Sequence, residues 1–447
     1  MVENRDRIAS GTVSEPARRV EVAAQADVVV CGGGPAGVAA ALAAARSGMR
    51  TILLENQICL GGMATAGMVN RLGPYHDQRE IILHGIPWEV LCRLVARGLA
   101  QAPVICDPAN WSDYWLVFDP EGMKLVLDEL ARDAGVDVSF DTRVVSPVLE
   151  GDTIRGVFIE SKSGRQAILG KVVIDATGDG DIAAGAGVPF EKGRETDGLL
   201  QPMTTFFKCL NMDWPRARSH VAEHYAELVA HAREEAGNDF VLSGTDSCLH
   251  KQETYFNCLH QHEVDGTRRE DISRAAAELR TKMWGNLRVL KRHVPGCENV
   301  SLITSAAAMG VRETRRIAGE YTLTVDDVLS GRQFPDQVYR YACFVDIHAP
   351  KPGHESDLAN KHPPPGQSYG IPYRCLLPQK VERLLVVGRC LSATHEALAS
   401  VRMMPSCMAM GQAAGTAAAM AVSEAVTPRE IDSAQLKNRL AEQGVLL

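Results

Sequence analysis

Along the chain the period of apolar and polar positions changes several times, and each change marks a predicted element. The β-branched run Val28-Val29-Val30 leads into glycines at 32, 34 and 37, then an alanine-rich stretch that stops at Ser47-Gly48. A second apolar run, Thr51 to Leu54, is closed by Glu55, so the whole stretch reads as strand, turn, helix, turn and strand. After the irregular, glycine-rich "LGGMATAGMVNRLGPYHD", the segment "GIPWEVLCRLVARG" has apolar residues at i, i+3 and i+4 and predicts a helix. Another is predicted in "DPEGMKLVLDELARDAG", with Asp119 as cap, Pro120 in the first turn and Gly135 as the stop. The next forty residues alternate and turn like a small antiparallel meander, returning to a buried strand at Val172 to Asp175.

The patterning shifts between about Pro189 and Pro350. Charge rises, long amphipathic helices are predicted from Pro215 to Ala236 and from Ser273 to His293, and no further glycine-rich turn follows a strand. This is the signature of an inserted substrate or cap domain. The polar, proline-rich "IHAPKPGHESDLANKHPPPGQ" is a loop that could cover a site, after which "RLLVVGRC" and "MPSCMAMGQAAGTAAAMAV" return to apolar strand and helix patterns.

Composition narrows the partners. A net charge of −8 over 447 residues, with no Lys/Arg block, lacks the surface of a nucleic-acid binder and points to small molecules. The longest apolar run, Val28 to Ala45, is broken by glycines and Pro35, which favours a strand–helix unit over a membrane span. Twelve scattered cysteines without a C-x-x-C pair, and a polar N-terminus without a signal-peptide core, fit a reduced, cytoplasmic setting.

Gly32, Gly34 and Gly37 satisfy G-x-G-x-x-G in its strand-to-helix context, and the physical roles follow from that spacing. Gly32 permits the sharp turn, Gly34 has no side chain to hold a pyrophosphate off the backbone, and Gly37 lets helix and strand pack closely. The helix N-terminus offers unpaired N–H groups to phosphate, and Glu55 can accept the hydrogen bonds of an adenosine ribose. The expectation is a dinucleotide site.

The segments "DVVVCGGGPAGVAAALAAARSG", "LGGMAT", "VVIDATGDGDIAAGAG", "GVRETRRIAGEYTLT", "GIPYRCLLP" and "VVGRCLSATHEALASVRMMPSCMAMGQAAGTAAA" run in order from about Asp27 to Val422. Together they resemble the FAD-dependent oxidoreductase family that is distantly similar to fumarate reductase flavoproteins, with a glutathione-reductase-type FAD-binding fold. The resemblance implies an α/β architecture: a Rossmann-like FAD-binding domain with a central parallel sheet and β-meander, plus an inserted α+β substrate/cap domain. The corresponding organisation is a flexible tail at 1–26, the first part of the FAD-binding domain at 27–188, the cap domain at 189–350, a covering loop at 351–369 and the return of the FAD-binding domain at 370–447.

That resemblance also distributes cofactor contacts. Gly32, Gly34, Pro35, Ala36 and Gly37 form the cradle, Glu55 and Asn56 meet the ribose, and Gly61, Gly62, Met63 and Thr65 pass the pyrophosphate and ribityl chain. Val144, with Ala176, Thr177 and Gly178, falls at the adenosine half, and Gly388-Arg389 ends the strand leading to the ribityl chain. A last helix, from about Gly411-Gln412-Ala413, is expected to point its N-terminus at the pyrimidine edge of the flavin. Covalently flavinylated relatives carry a histidine shortly before the paired glycines; Leu53 to Leu60 has none, so FAD is expected to bind non-covalently, with Cys59 read as a buried structural cysteine in preference to an attaching nucleophile.

For chemistry, His395 in "SATHEALASVRMMP" is the expected proton handler, against a role limited to hydrogen-bonding its loop or the cofactor. Arg402 could pair with a substrate carboxylate or a flavin carbonyl, or form a salt bridge to Glu396. His348, Tyr373 and Arg374 sit at the edges of the covering loop and could complete a polar pocket, or serve structure. Arg312, Arg315 and Arg316, read as near a helix start, are expected to pair with protein carboxylates in preference to an anionic substrate, and His76-Asp77 is a further acid/base candidate. In "CLHKQETYFNCLHQH", Cys248, His250, Cys258, His260 and His262 do not have zinc-site spacing; polar side chains alternating on a cap-domain strand, with a histidine or Tyr255 facing substrate, is preferred to metal. The functional expectation is hydride transfer between a small polar substrate and flavin N5, using a diffusible electron acceptor or donor, with homodimerisation suggested by size and class. An electron-transfer subunit of a larger complex and a redox-neutral flavin-dependent lyase or hydratase are the alternatives.

Overall fold

The computed structural model describes residues 17–103, 114–237, 244–245, 249 and 253–447. At its centre the strands Asp137–Ser139, Thr51–Leu54, Glu21–Cys31 and Gly164–Asp175 lie side by side and parallel. The last of these branches: its C-terminal half pairs in parallel with Leu384–Val386, and its N-terminal half pairs antiparallel with Thr153–Ser161. Arg143–Glu150 completes the meander. Val28, Val29, Val30, Val172, Val173 and Ile174 are fully buried, which is why these strands read as unbroken apolar runs: both faces of the parallel sheet are covered.

The first strand starts earlier than expected. Glu21 to Ala26, assigned to a flexible tail, already pair with Gln166 to Gly170, across an irregularity between Val22 and Ala24. Residues 1–16 lie outside the described residues.

Two helices from opposite ends of the sequence cover one face of the sheet. The cradle helix Pro35–Arg46 follows the glycine turn, and the helix Met404–Glu424 lies against it. Gly411 and Gly415 make that approach possible, because a Cβ at either would collide with the carbonyl of Ala36 or Ala40. Glycine within a helix costs about 1 kcal/mol of intrinsic stability, here offset by close backbone packing. The helix Pro120–Ala134 has the predicted ends: Asp119 Oδ1 accepts from the amides of Glu121 and Gly122 at 2.8 and 3.2 Å, and Gly135 stops it at a φ of 72°.

The inserted unit is built on an antiparallel sheet, in the order Gly244–Thr245, Glu253–Phe256, Phe207–Leu210 and Ser301–Ser305, covered by the helices Trp214–Ala236 and Arg269–His293. Its apolar core, with Phe207 and Phe256 stacked at 4.8 Å, draws on residues from Phe207 to Val300. The chain therefore rejoins the main body earlier than the expected boundary at 350. Gln337–Tyr341 pairs with Tyr369–Pro372, and the buried Tyr339 and Tyr341 hydroxyls bond Ser406 and the Gly73 carbonyl at 2.8 and 2.9 Å. Entrance and exit of the insertion are tied together by Phe190–Lys192 and Arg315–Ile317, so Arg315 and Arg316 lie on a strand and not at a helix start. Among the described residues no helix is long and apolar enough to cross a membrane.

Candidate functional site

One continuous cavity of about 590 Å³ runs from the glycine turn to the underside of the inserted unit. Gly32 turns the chain with a φ of 102° and lies against the Ala176 carbonyl, where no side chain fits. Gly37 packs directly on the Gly32 backbone. Gly34 lines the cavity, and a Cβ there would meet no protein atom within 4 Å. It is also the N-cap of the cradle helix, and no side chain caps that helix, so its first-turn amides remain available. These features fit a pyrophosphate, which needs close backbone approach and unpaired N–H groups.

Glu55 closes the next wall. Its Oε2 accepts from the Gly33 amide at 2.6 Å and its Oε1 from Gln57 at 2.7 Å, while burial raises its carboxyl above the usual range against the pull of those amides. Pro35, Ala36, Asn56, Gly62, Met63 and Val144 continue the lining, as do Ala176, Thr177, Gly178, Gly388 and Arg389. Buried Asp175 shapes this end by accepting from the Ile182 and Ala183 amides at 3.0 and 2.9 Å and from the Thr177 hydroxyl at 2.7 Å. Arg389 is fixed on Asp179 at 2.8 Å.

Six expected cofactor contacts stand behind the wall. Gly37 serves helix packing; Gly61, at a φ of 103°, lies against the Thr65 side chain, whose hydroxyl donates to the Leu60 carbonyl at 2.6 Å. Gly411 faces Ala36, and Gln412 accepts from the Ile86 amide at 2.8 Å and donates to Gln443 at 3.0 Å, with Ala413 buried beside it. The helix that contains these three begins seven residues earlier than expected, at Met404. Its uncapped first turn presents Met403, Met404 and Cys407 to the cavity instead.

The far end is lined by Thr204, Phe206, Asn257, Arg312, Phe344, Asp346, His348 and Arg402. Arg402 donates to the Asp346 carbonyl at 2.7 Å and to its carboxylate at 3.0 Å, and not to Glu396. His348 Nε2 lies 3.5 Å from Asp346 Oδ1. Desolvation first and Arg312 second pull the His348 imidazole down to about 4, leaving it neutral at pH 7. His260, whose ring packs edge-on against His348 at 5.2 Å, is pulled down to about 2 by burial and then by Arg312.

Other expected residues fall elsewhere. His395 is 3 % exposed, with Nδ1 2.8 Å from the fully buried Glu313 at an angle that makes no regular hydrogen bond. It does not line the cavity; Glu313 also pairs with Arg316, so the cluster braces the segment carrying Arg312. Tyr373 donates to the Pro428 carbonyl at 2.8 Å and Arg374 is held by Asp336 at 2.9 Å, both outside the cavity lining. His76 and Asp77 accept amide hydrogen bonds within their own turn, from Gln78 at 3.1 Å and from Arg79 and Glu80 at 2.9 Å. Arg315 pairs with Asp181 at 2.8 Å as expected, whereas Arg312 pairs with no carboxylate among the described residues. Cys248 and His250 lie outside the described residues; Cys258 is buried beside Asn286, and His260 reaches toward Arg312. Tyr255 packs under Lys208, its ring 5.3 Å from the ammonium.

Among the residues missed from sequence were Asp346, which stands two positions before His348, Asn257, Thr204, and the Trp115, Phe206 and Phe344 rings. Only Asn257 and Asp346 had a local signal, as polar neighbours of histidines already singled out.

Comparison with known proteins matches the profile of the family described as FAD dependent oxidoreductase to residues 27–440. A thiamine thiazole synthase of Methanococcus maripaludis is 29 % identical over 160 residues, covering 34 % of this chain and 55 % of that protein. A digeranylgeranylglycerophospholipid reductase of Methanococcoides burtonii is 30 % identical over 157 residues, covering 34 % and 38 %. The chain thus spans little more than half the length of the first and under two fifths of the second. Among solved structures, a geranylgeranyl bacteriochlorophyll reductase-like protein from Thermoplasma acidophilum aligns over 94 % of this chain and 82 % of its own, with 14 % identity and a TM-score of 0.48.

Proposed function

The chain belongs to the FAD dependent oxidoreductase family and takes FAD as its cofactor, and from that premise we propose that it moves a hydride between a small polar organic substrate and non-covalently held FAD. Bound FAD supplies a two-electron centre that accepts or donates hydride at N5. The observation that carries the reading is the continuity of one cavity from the dinucleotide cradle at Gly32, Gly34 and Glu55 to the polar end at Arg312, Asp346, His348 and Arg402.

In the oxidative direction the substrate loses a hydride from carbon and a proton from the attached oxygen or nitrogen. His348 takes that proton: it lines the cavity, is neutral at pH 7, and has Asp346 beside it to stabilise the imidazolium. In the reductive direction the same group returns it. The expected role of His395 accordingly moves one layer back, to positioning the Arg312 segment through Glu313. The two electrons pass to or from a diffusible partner. Non-covalent attachment is supported at Cys407, the thiol on the cavity wall, because burial pushes it up to about 12 and keeps it protonated.

The test starts from the visible spectrum of the purified protein before and after acid precipitation. A flavin band whose chromophore passes into the supernatant is the expected result. Colour kept in the pellet overturns the non-covalent assignment, and a protein that takes up no added FAD overturns the whole reading. Anaerobic bleaching of the loaded protein by candidate alcohols, amines and acids then selects the direction and substrate.

A further inference from the structure

At the polar end of the cavity the charges do not balance. Arg312 is 7 % exposed, and its partners are the Pro202 carbonyl at 2.9 Å and the His260 imidazole at 3.5 Å, both uncharged. Arg402 stands on the same wall with 12 % of its side chain exposed; its Nη2 is taken by Asp346, and its Nε has no partner. Asp346 is thus one carboxylate between two guanidinium groups, already committed to Arg402 and flanked by a histidine that stays neutral at pH 7. Elsewhere on the cavity wall Arg389 is balanced by Asp179.

A buried guanidinium without a counter-ion is costly, and an anion arriving from outside would relieve that cost. A guanidinium fork matches the two oxygens of a carboxylate. The lining also carries apolar, aromatic side chains: Phe206, Phe344 and Trp115, the last meeting Phe344 edge-on at 6.0 Å. We propose that this end of the cavity is a carboxylate site, in which Arg312 and Arg402 clamp the acid group of an organic acid substrate while Trp115, Phe206 and Phe344 receive its apolar body. The inference rests on the proposed oxidoreductase reading and deepens it by naming the substrate class. Asp346 then sets the selectivity: its carboxylate neutralises one of the two cations, so a monoanion completes the balance and a dianion overshoots it.

The experiment uses the FAD-loaded protein at fixed ionic strength and titrates it with sodium benzoate, with benzamide as the uncharged shape match, and with inorganic phosphate. Binding is read by calorimetry and by the perturbation of the flavin absorbance. Saturable benzoate binding at least tenfold tighter than benzamide is expected, with phosphate weak, and Arg312→Met should reduce benzoate affinity tenfold or more while Arg312→Lys keeps part of it. Equal binding of benzoate and benzamide to the wild-type protein overturns the proposal whether or not the variants fold. Phosphate binding as tightly as benzoate replaces the carboxylate site by a general oxyanion site. An Arg312→Met protein that keeps its benzoate affinity but loses FAD reassigns the charge to the cofactor. A wild-type protein that holds FAD yet binds no benzoate removes the substrate class and leaves the oxidoreductase reading standing; one that holds no FAD removes the latter, and calorimetry on the same protein still reports the anion.

Discussion

Glu55 Oε2 lies 2.6 Å from the amide nitrogen of Gly33, so the acid that ends the second strand is first a clamp on the glycine turn. Its other oxygen holds the Gln57 amide at 2.7 Å, and both keep a lone pair for the cavity they line. Replacing Glu55 by Gln turns one acceptor into a donor facing an N–H group. Hydrogen bonds to a charged group contribute about 1.5–3 kcal/mol each, so FAD affinity should fall roughly 10- to 100-fold. Fluorescence titration of the apoprotein measures this, and an unchanged affinity would show that the turn is set by its glycines alone.

Gly411 tests the helix seam. A methyl there meets the Ala36 carbonyl, so Gly411→Ala should cost about 1–3 kcal/mol by overpacking and lower the melting temperature of the apoprotein as well as the holoprotein. A cofactor contact would instead give a loss confined to the FAD-bound form.

His260 and His348 make the folded state sensitive to acid. Both stay neutral in the fold, with pKa values pulled down to about 2 and about 4, while the unfolded chain protonates them near 6.5. As pH falls from about 6.5 to 4 the unfolded state binds the extra protons, so stability drops by at most about 1.4 kcal/mol per pH unit per histidine. The charged groups facing them are Arg312, Arg402, Lys282 and Asp346, with His262 adjacent to His260. Melting curves across that window should flatten in the His260→Gln, His348→Gln double variant; an unchanged slope would locate the acid sensitivity elsewhere.

His395 and His348 are separable by readout. His395→Gln loosens the buried cluster with Glu313 and Arg316, and should lower the melting temperature while leaving the pH profile of flavin reduction in place. His348→Gln should suppress reduction by substrate at least 100-fold with FAD still bound. If His395→Gln alone abolishes reduction with stability intact, the proton passes through His395.

What sequence could show follows from how locally each feature is determined. The glycine turn, the cap at Asp119 and the stop at Gly135 depend on residues within a few positions, and each stands where its chemistry required. The roles of Tyr373 and Arg374 did not: their partners are Pro428 and Asp336, 55 and 38 residues away, and nothing in "GIPYRCLLP" encodes them. Gly411 misled for a related reason, since a glycine that admits a cofactor and one that admits a helix look alike in sequence. Arg312, Asp346 and Arg402 come from three separate segments and acquire their meaning only from the charge they leave uncancelled together.

The pairing of the cradle helix with Met404–Glu424 has a consequence for biogenesis. The glycine turn leaves the ribosome early, but the wall formed by residues 388 to 407, and the helix that supports it, emerge after almost all the rest of the domain. A nascent chain can therefore form its first strand–helix–strand unit long before it has a place to keep a dinucleotide. Cofactor uptake must wait for that wall, and the unfinished protein must shield the apolar face of its first helix until Met404–Glu424 arrives.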